Sequence, residues 1–132
     1  NIMALPNGAG GYQLGDGNLT EVTLGVQGAP VAKTAAAVLT AAEITSGIIT
    51  YTGAVANLTF PTVADTEALV SSAKNDSCFD VVIINIGATN TVSVVGGTGW
   101  STVGSLAIAA GVSGRFLARK TGDLTWTLYR IA

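Results

Sequence analysis

From Thr34 onward the chain is built of short stretches in which apolar and polar residues alternate, parted by Gly, Asn and Asp. A period of two puts alternate side chains on opposite faces of an extended strand, so the pattern predicts strands with one buried face. Eight segments carry it: Thr34–Thr40, Ile48–Thr52, Asn57–Phe60, Cys78–Ile86, Thr91–Val95, Leu106–Ala109, Gly114–Arg119 and Leu124–Ile131. Short strands at regular spacing with turn residues between them predict an all-β fold, an about eight-stranded β-sandwich or jelly-roll-like domain. Val81-Val82-Ile83-Ile84 is apolar on both strand faces and is expected to be covered on both, by the core on one side and by a helix or another subunit on the other. Leu124, Trp126 and Leu128 are expected to share one face, and Arg115 and Arg119 another, with Phe116 and Ala118 opposite them. Lys120-Thr121-Gly122-Asp123 reads as the turn of a closing hairpin.

Helical signals are few. Thr62 to Ala73 reads as one short helix, with Thr62 as N-cap, Asp65 and Glu67 near its positive end and Lys74 near its negative end. Thr40-Ala41-Ala42-Glu43 has capping-box spacing, enough for a helical turn before Gly47. Residues 1–33 differ from the rest. Pro6-Asn7-Gly8, Gly10-Gly11 and Gly15-Asp16-Gly17-Asn18 are coil and turn signals that bury no regular face, so this part reads as an extended arm ahead of a domain over 34–132. Within the arm only Val22, Leu24 and Val26 alternate with polar or small neighbours, which predicts one short strand, and Pro30 marks a joint. The first residues show neither a basic segment nor an apolar one of the secretory type, and Met3-Ala4-Leu5-Pro6 reads as a chain start.

Composition narrows the function classes. Of 132 residues only 11% are charged while 48% are hydrophobic, a weakly charged surface that favours association. Six basic residues and a net charge of -2 leave little to neutralise phosphate, so nucleic acid is not expected as a partner. No apolar run reaches the roughly 18 residues of a membrane-spanning helix, so no membrane is expected either. The single cysteine, Cys78, precludes an internal disulfide; at the head of an apolar run it is expected to be a buried hydrophobe rather than a reactive thiol.

Histidine is absent, which removes the imidazole bases and relays on which many hydrolases depend. The eight acids fall mostly at caps, turns and edges rather than as a pair spanning a cleft. Gly8-Ala9-Gly10-Gly11 and Gly96-Gly97-Thr98-Gly99 lack the spacing and the following helix of a phosphate-cradling loop, so both read as turn backbone. Asp16-Gly17-Asn18 lacks the distal Glu of a calcium loop. No enzyme, metal or cofactor is expected. Trp100 follows a glycine loop and reads as a packing residue, with stacking on a sugar ring as its sharper reading. Arg115, Arg119 and Lys120 form the one basic group, read either as a solvated strand edge or as residues that pair with an acidic neighbour on a larger particle.

The order and spacing of several short motifs resemble the decoration, or cement, proteins that stabilise bacteriophage heads. The motifs are Pro6-Asn7-Gly8 leading to Gly10-Gly11-Tyr12-Gln13 and Gly15-Asp16-Gly17-Asn18, then Leu39-Thr40-Ala41-Ala42-Glu43-Ile44, Gly47-Ile48-Ile49-Thr50, Leu58-Thr59-Phe60-Pro61-Thr62, Phe79 to Asn85, and Ala109 to Phe116. Such proteins often carry Gln or Leu where this chain has Glu43 and Ile44. The resemblance implies a virion protein on the outer capsid surface, a homotrimer bound to the major capsid protein. Under it, Tyr12, Gln13, Leu14, Val22, Leu24 and Val26 of the arm are the expected capsid-binding residues, the last three by adding a strand to an exposed sheet edge. The competing expectation is a receptor- or glycan-binding knob of a phage fibre, which would share the β-rich, histidine-free character.

Overall fold

The computed structural model describes residues 24–132. Ten strands and two short helices follow in the order β1 (Val31–Lys33), β2 (Ala37–Val38), α1 (Ala41–Thr45), β3 (Ile48–Tyr51), β4 (Ala56–Thr59), α2 (Val63–Leu69), β5 (Cys78–Asn85), β6 (Val92–Val95), β7 (Trp100–Val103), β8 (Ala107–Ile108), β9 (Ser113–Gly122) and β10 (Thr125–Arg130). They form a six-stranded sheet of order β1-β3-β5-β9-β10-β7 and a four-stranded sheet of order β2-β4-β6-β8. The β-rich expectation holds, with both sheets mixed. Parallel neighbours need a crossover between them. Here the chain passes from the large sheet to the small one and back, so β1, β3 and β5 lie parallel in one sheet and β2, β4 and β6 parallel in the other. Helices α1 and α2 occupy the first two return paths. Strands β8, β9 and β10 close the structure with antiparallel pairings, and β7 adds a parallel edge beside β10.

Alternation decides what each sheet buries. Ile49, Tyr51, Val81, Ile83, Phe116, Ala118, Trp126 and Leu128 of the large sheet join Leu58, Val92, Val94 and Ile108 of the small sheet in one core, which Ile44 of α1 and Val63 of α2 complete. At the helix end three aromatic contacts link the elements: Phe60 meets Trp100 edge-on at 5.3 Å, and Trp126 lies 5.8 Å from Trp100 and 5.7 Å from Phe79. On the opposite face of β5, Val82 and Ile84 are half-buried, in register with Ile48 and Thr50 on β3 and with Arg115 and Ser113 on β9.

Several local expectations are corrected. The strand expected over Thr34–Thr40 is confined to Ala37–Val38, and the large sheet takes in Val31–Lys33, assigned above to the arm. Trp100–Val103 is a strand that its sequence does not announce, held by parallel pairing to β10 from Trp126 to Tyr129. Strand β9 runs on through Gly122, so the hairpin turn is Asp123-Leu124. Leu124 takes a positive φ of 53° and stands 51% exposed, away from Trp126 and Leu128. Cys78 is exposed rather than buried, because the inward alternation of β5 falls on Phe79, Val81 and Ile83. Helix α2 stops at Leu69, short of Ala73. Ser71 and Ser72 follow it, and the Lys74 N–H donates to Ser77 Oγ at 2.9 Å in a separate turn, so Lys74 does not reach the helix end.

The capping box at α1 is complete: Glu43 N–H donates to Thr40 Oγ1 at 3.2 Å and Thr40 N–H to Glu43 Oε1 at 2.9 Å. Lys33 Nζ lies 2.8 Å from Glu43 Oε2, which ties β1 to α1. The Lys33 hydrogen bond first, and the Thr40 N–H second, hold the Glu43 carboxyl below its ordinary value of 4.5. A carboxylate with a depressed folded pKa stabilises the fold above its unfolded pKa and loses that contribution as pH falls through the folded value. The stability difference between wild type and Glu43→Gln should therefore be largest near about pH 7 and close as pH drops below about 4.5, read as denaturation midpoints across pH. Ile83, fully buried on the central strand β5, has no partner for a charge. Ile83→Asp should cost more than about 4 kcal/mol and abolish the cooperative melting transition.

Candidate functional site

The winding brings four turns to one end of the molecule. Lys33, Tyr51 and Asn85 stand side by side at the ends of β1, β3 and β5, and Ile84 at that end of β5 pairs with Ser113 at the start of β9. Four of the turns leaving or entering there are 34–36, 52–55, 86–91 and 109–112, and β7 and β10 run to the same end and bring the turn 104–106 and Arg130 to it. Each of the four crosses between sheets in three to six residues, and none carries a charged side chain. The sequences are Thr-Ala-Ala, Thr-Gly-Ala-Val, Ile-Gly-Ala-Thr-Asn-Thr and Ala-Ala-Gly-Val. Val55, Ile86 and Val112 stand 71%, 60% and 47% exposed among exposed alanines.

Backbone bonds stitch neighbouring turns together. Thr52 N–H donates to Lys33 O at 3.1 Å, Ile86 N–H to Tyr51 O at 2.9 Å, Asn85 N–H to Val112 O at 3.0 Å and Gly111 N–H to Asn85 O at 3.0 Å. The Asn85 side chain, 1% exposed, completes the clamp. Its Nδ2 donates to Asn90 O at 2.8 Å and to Ile108 O at 3.0 Å, and its Oδ1 accepts from Gly87 N–H at 3.1 Å. Asn90 Nδ2 donates in turn to Gly53 O at 2.9 Å. A buried amide that satisfies three backbone groups fixes their geometry, since each would otherwise lie unpaired in the interior. The result is a set of preformed turns with Val55, Ile86 and Val112 facing outward, beside which Arg130 at the end of β10 donates to Ser105 O, Ala107 O and Ala132 O.

Helices α1 and α2 carry Glu43, Asp65 and Glu67, and Glu43 reaches Lys33 at the end of β1. Lys120 Nζ lies 3.4 Å from Glu67 Oε2, which also accepts from Trp126 Nε1 at 3.0 Å. Arg119 pairs with Asp76 at 2.6 Å and donates to Tyr129 Oη; the Tyr129 bond and then Asp76 raise its pKa above the ordinary arginine value. Arg115 pairs with Asp80 at 2.9 Å. The three bases singled out in the sequence thus each meet an acid of their own chain. Of the arm residues, Tyr12, Gln13, Leu14 and Val22 lie outside the described residues, while Leu24 and Val26 are 84% and 102% exposed. Gln27, just beyond them, donates through Nε2 to Ser46 O beside α1.

Trp100 is engaged in packing: its ring lies against Phe60 and Trp126, and its Nε1 donates to Pro61 O at 2.8 Å. The adjoining glycine loop has a backbone reason. A Cβ on Gly97 would stand 2.5 Å from Phe60 O, and Gly99 has a φ of 93° with Val63 as close neighbour. Among the described residues no group of three or more His, Cys, Asp or Glu is placed to hold a metal ion, and no helix is long and apolar enough to cross a membrane.

The end where the four turns meet escapes a linear reading because they are separated in sequence and each looks like an ordinary loop. The signal available beforehand was the lack of any Asp, Glu, Lys or Arg in all four. Compared with known proteins, the chain matches no family model, no curated protein and no solved structure. Asn85→Leu keeps the branching at Cγ but strands three backbone groups. It should lower stability by about 3 kcal/mol in chemical denaturation, whereas Asn57→Leu, at an exposed position on β4, should change it by less than about 0.5 kcal/mol.

Proposed function

We propose that the chain is a non-enzymatic structural protein of a virus particle: a decoration protein that binds the outer surface of a phage capsid as a homotrimer and cements its subunits. The observation that carries this reading is the end where the turns 34–36, 52–55, 86–91 and 109–112 meet, clamped by Asn85 and apolar at the exposed Val55, Ile86 and Val112. The motif resemblance in the sequence supports the viral setting. The arm supports attachment: among the described residues Leu24 and Val26 are covered by nothing, which suits a segment that gains hydrogen bonds and apolar contacts by joining a sheet edge of the shell. Several arms engaged at once on a symmetric shell add avidity to contacts that are individually weak. The fibre-knob alternative drew on Trp100, whose ring is occupied by Phe60, Trp126 and Pro61.

The test is co-sedimentation with emptied, undecorated phage shells. The full chain should pellet at a fixed ratio to the major capsid protein, and a chain lacking residues 3–30 should stay folded but remain in the supernatant. A full chain that never pellets with shells defeats the proposal, and a truncated chain that decorates at wild-type occupancy removes the arm from it.

A further inference from the structure

We propose that Gln27 is the positioning residue of the arm: its side chain pins the root of the arm to the end of helix α1 and so fixes where the segment carrying Leu24 and Val26 leaves the domain. The inference deepens the reading above and rests on its assignment of the arm to shell binding. Gln27 itself touches the domain and not the shell.

Three observations lead to Gln27. First, residues 24–30 are exposed throughout, and among the described residues no backbone hydrogen bond ties them to the domain. The side-chain bond that does is Gln27 Nε2 donating to Ser46 O. Second, that acceptor needs a donor. The last carbonyls of a helix have no partner within it; Ser46 is the C-cap of α1, and the last turn of α1 carries no basic residue. Among the described residues the donor that Ser46 O receives is Gln27 Nε2. Third, the seat has room for the amide. Gly47 has a φ of 102°, which already asks for glycine, and a Cβ there would stand 2.9 Å from Gln27 Oε1. Its bare Cα lets the carboxamide lie over the turn between α1 and β3.

A pinned root changes what the arm does on binding. With Gln27 held, Gly28-Ala29-Pro30 is tethered at both ends instead of swinging from β1, and Val26 and Leu24 lie one and three residues beyond a fixed point. Ordering a loose segment at a contact costs free energy, and a root ordered beforehand lowers that cost. The gain cannot exceed the strength of the pin, one neutral hydrogen bond, which sets it at about fivefold in affinity for each arm.

The test pairs a shell-free reading with titration of emptied, undecorated shells, using the full chain throughout. Gln27→Ala and Gln27→Glu remove the donor to Ser46 O, whereas Gln27→Lys keeps one and sets a cation beside the last carbonyls of α1. Backbone 15N relaxation should show the amides of residues 26–29 ordered in wild type and Gln27→Lys and loosened in the other two, with the melting temperature unchanged in all. Half-saturation of shells should then require at least about threefold more Gln27→Ala or Gln27→Glu than wild type, and more where several arms bind together, while Gln27→Lys binds as wild type does. Gln27→Ala amides as ordered as those of wild type would show that no pin exists and overturn the proposal. A loosened root with undiminished shell binding would overturn it as well, and tighter binding would do so by making the bond a restraint on the arm. A wild-type chain that binds no shell would defeat the reading on which the proposal rests, an outcome distinct from any of these because it is seen before a variant is compared.

Discussion

The hydrogen bonds of Asn85 are the interaction on which this structure turns. A chain that winds between two sheets must cross from one to the other repeatedly, and each crossing takes polar backbone into a region the core would rather keep dry. Asn85 sits where the longest of these crossings leaves the central strand β5, and its amide serves the backbone of Gly87, Asn90 and Ile108 together. With those groups satisfied, the crossings can be short. Short crossings set the sheets close, and Ile83 and Tyr51 of one sheet share a core with Leu58, Val92 and Ile108 of the other.

Different physics holds the helices and the turns. Around the helices, Thr40 and Thr62 act as caps, Glu67 holds Lys120, and Glu43 reaches Lys33 at the end of β1. At the turns, backbone and amide groups satisfy one another, and Val55, Ile86 and Val112 face solvent.

How much of this was legible beforehand depended on whether an element declares itself locally. Strands β5, β9 and β10 did, since Phe79-Asp80-Val81, Arg115-Phe116-Leu117-Ala118 and Trp126-Thr127-Leu128 alternate over enough residues to fix a face. Helix α1 did, because Thr40 and Glu43 form a motif that works within four residues. Strands β1 and β7 did not: each is a short edge whose partner lies far away in sequence, and parallel pairing leaves no hairpin signal. Leu124 and Cys78 were misplaced for different reasons: at Leu124 a positive φ in the turn reverses the inward direction that its apolar character favours, whereas Cys78 falls on the outward phase of β5, whose inward positions are Phe79, Val81 and Ile83. The candidate surface was the least legible of all, because it exists only once four distant turns have been brought together.

Parallel pairing throughout the winding has a kinetic consequence. β1 must find β3, and β3 must find β5, across intervening turns, a second-sheet strand and a helix, so few native contacts are local. Topologies of this kind pay loop-closure entropy before contacts return it and reach the native state slowly. At a given equilibrium stability the ratio of the two rates is fixed, so a chain that folds slowly also opens slowly, and its topology alone lengthens the time each molecule stays folded.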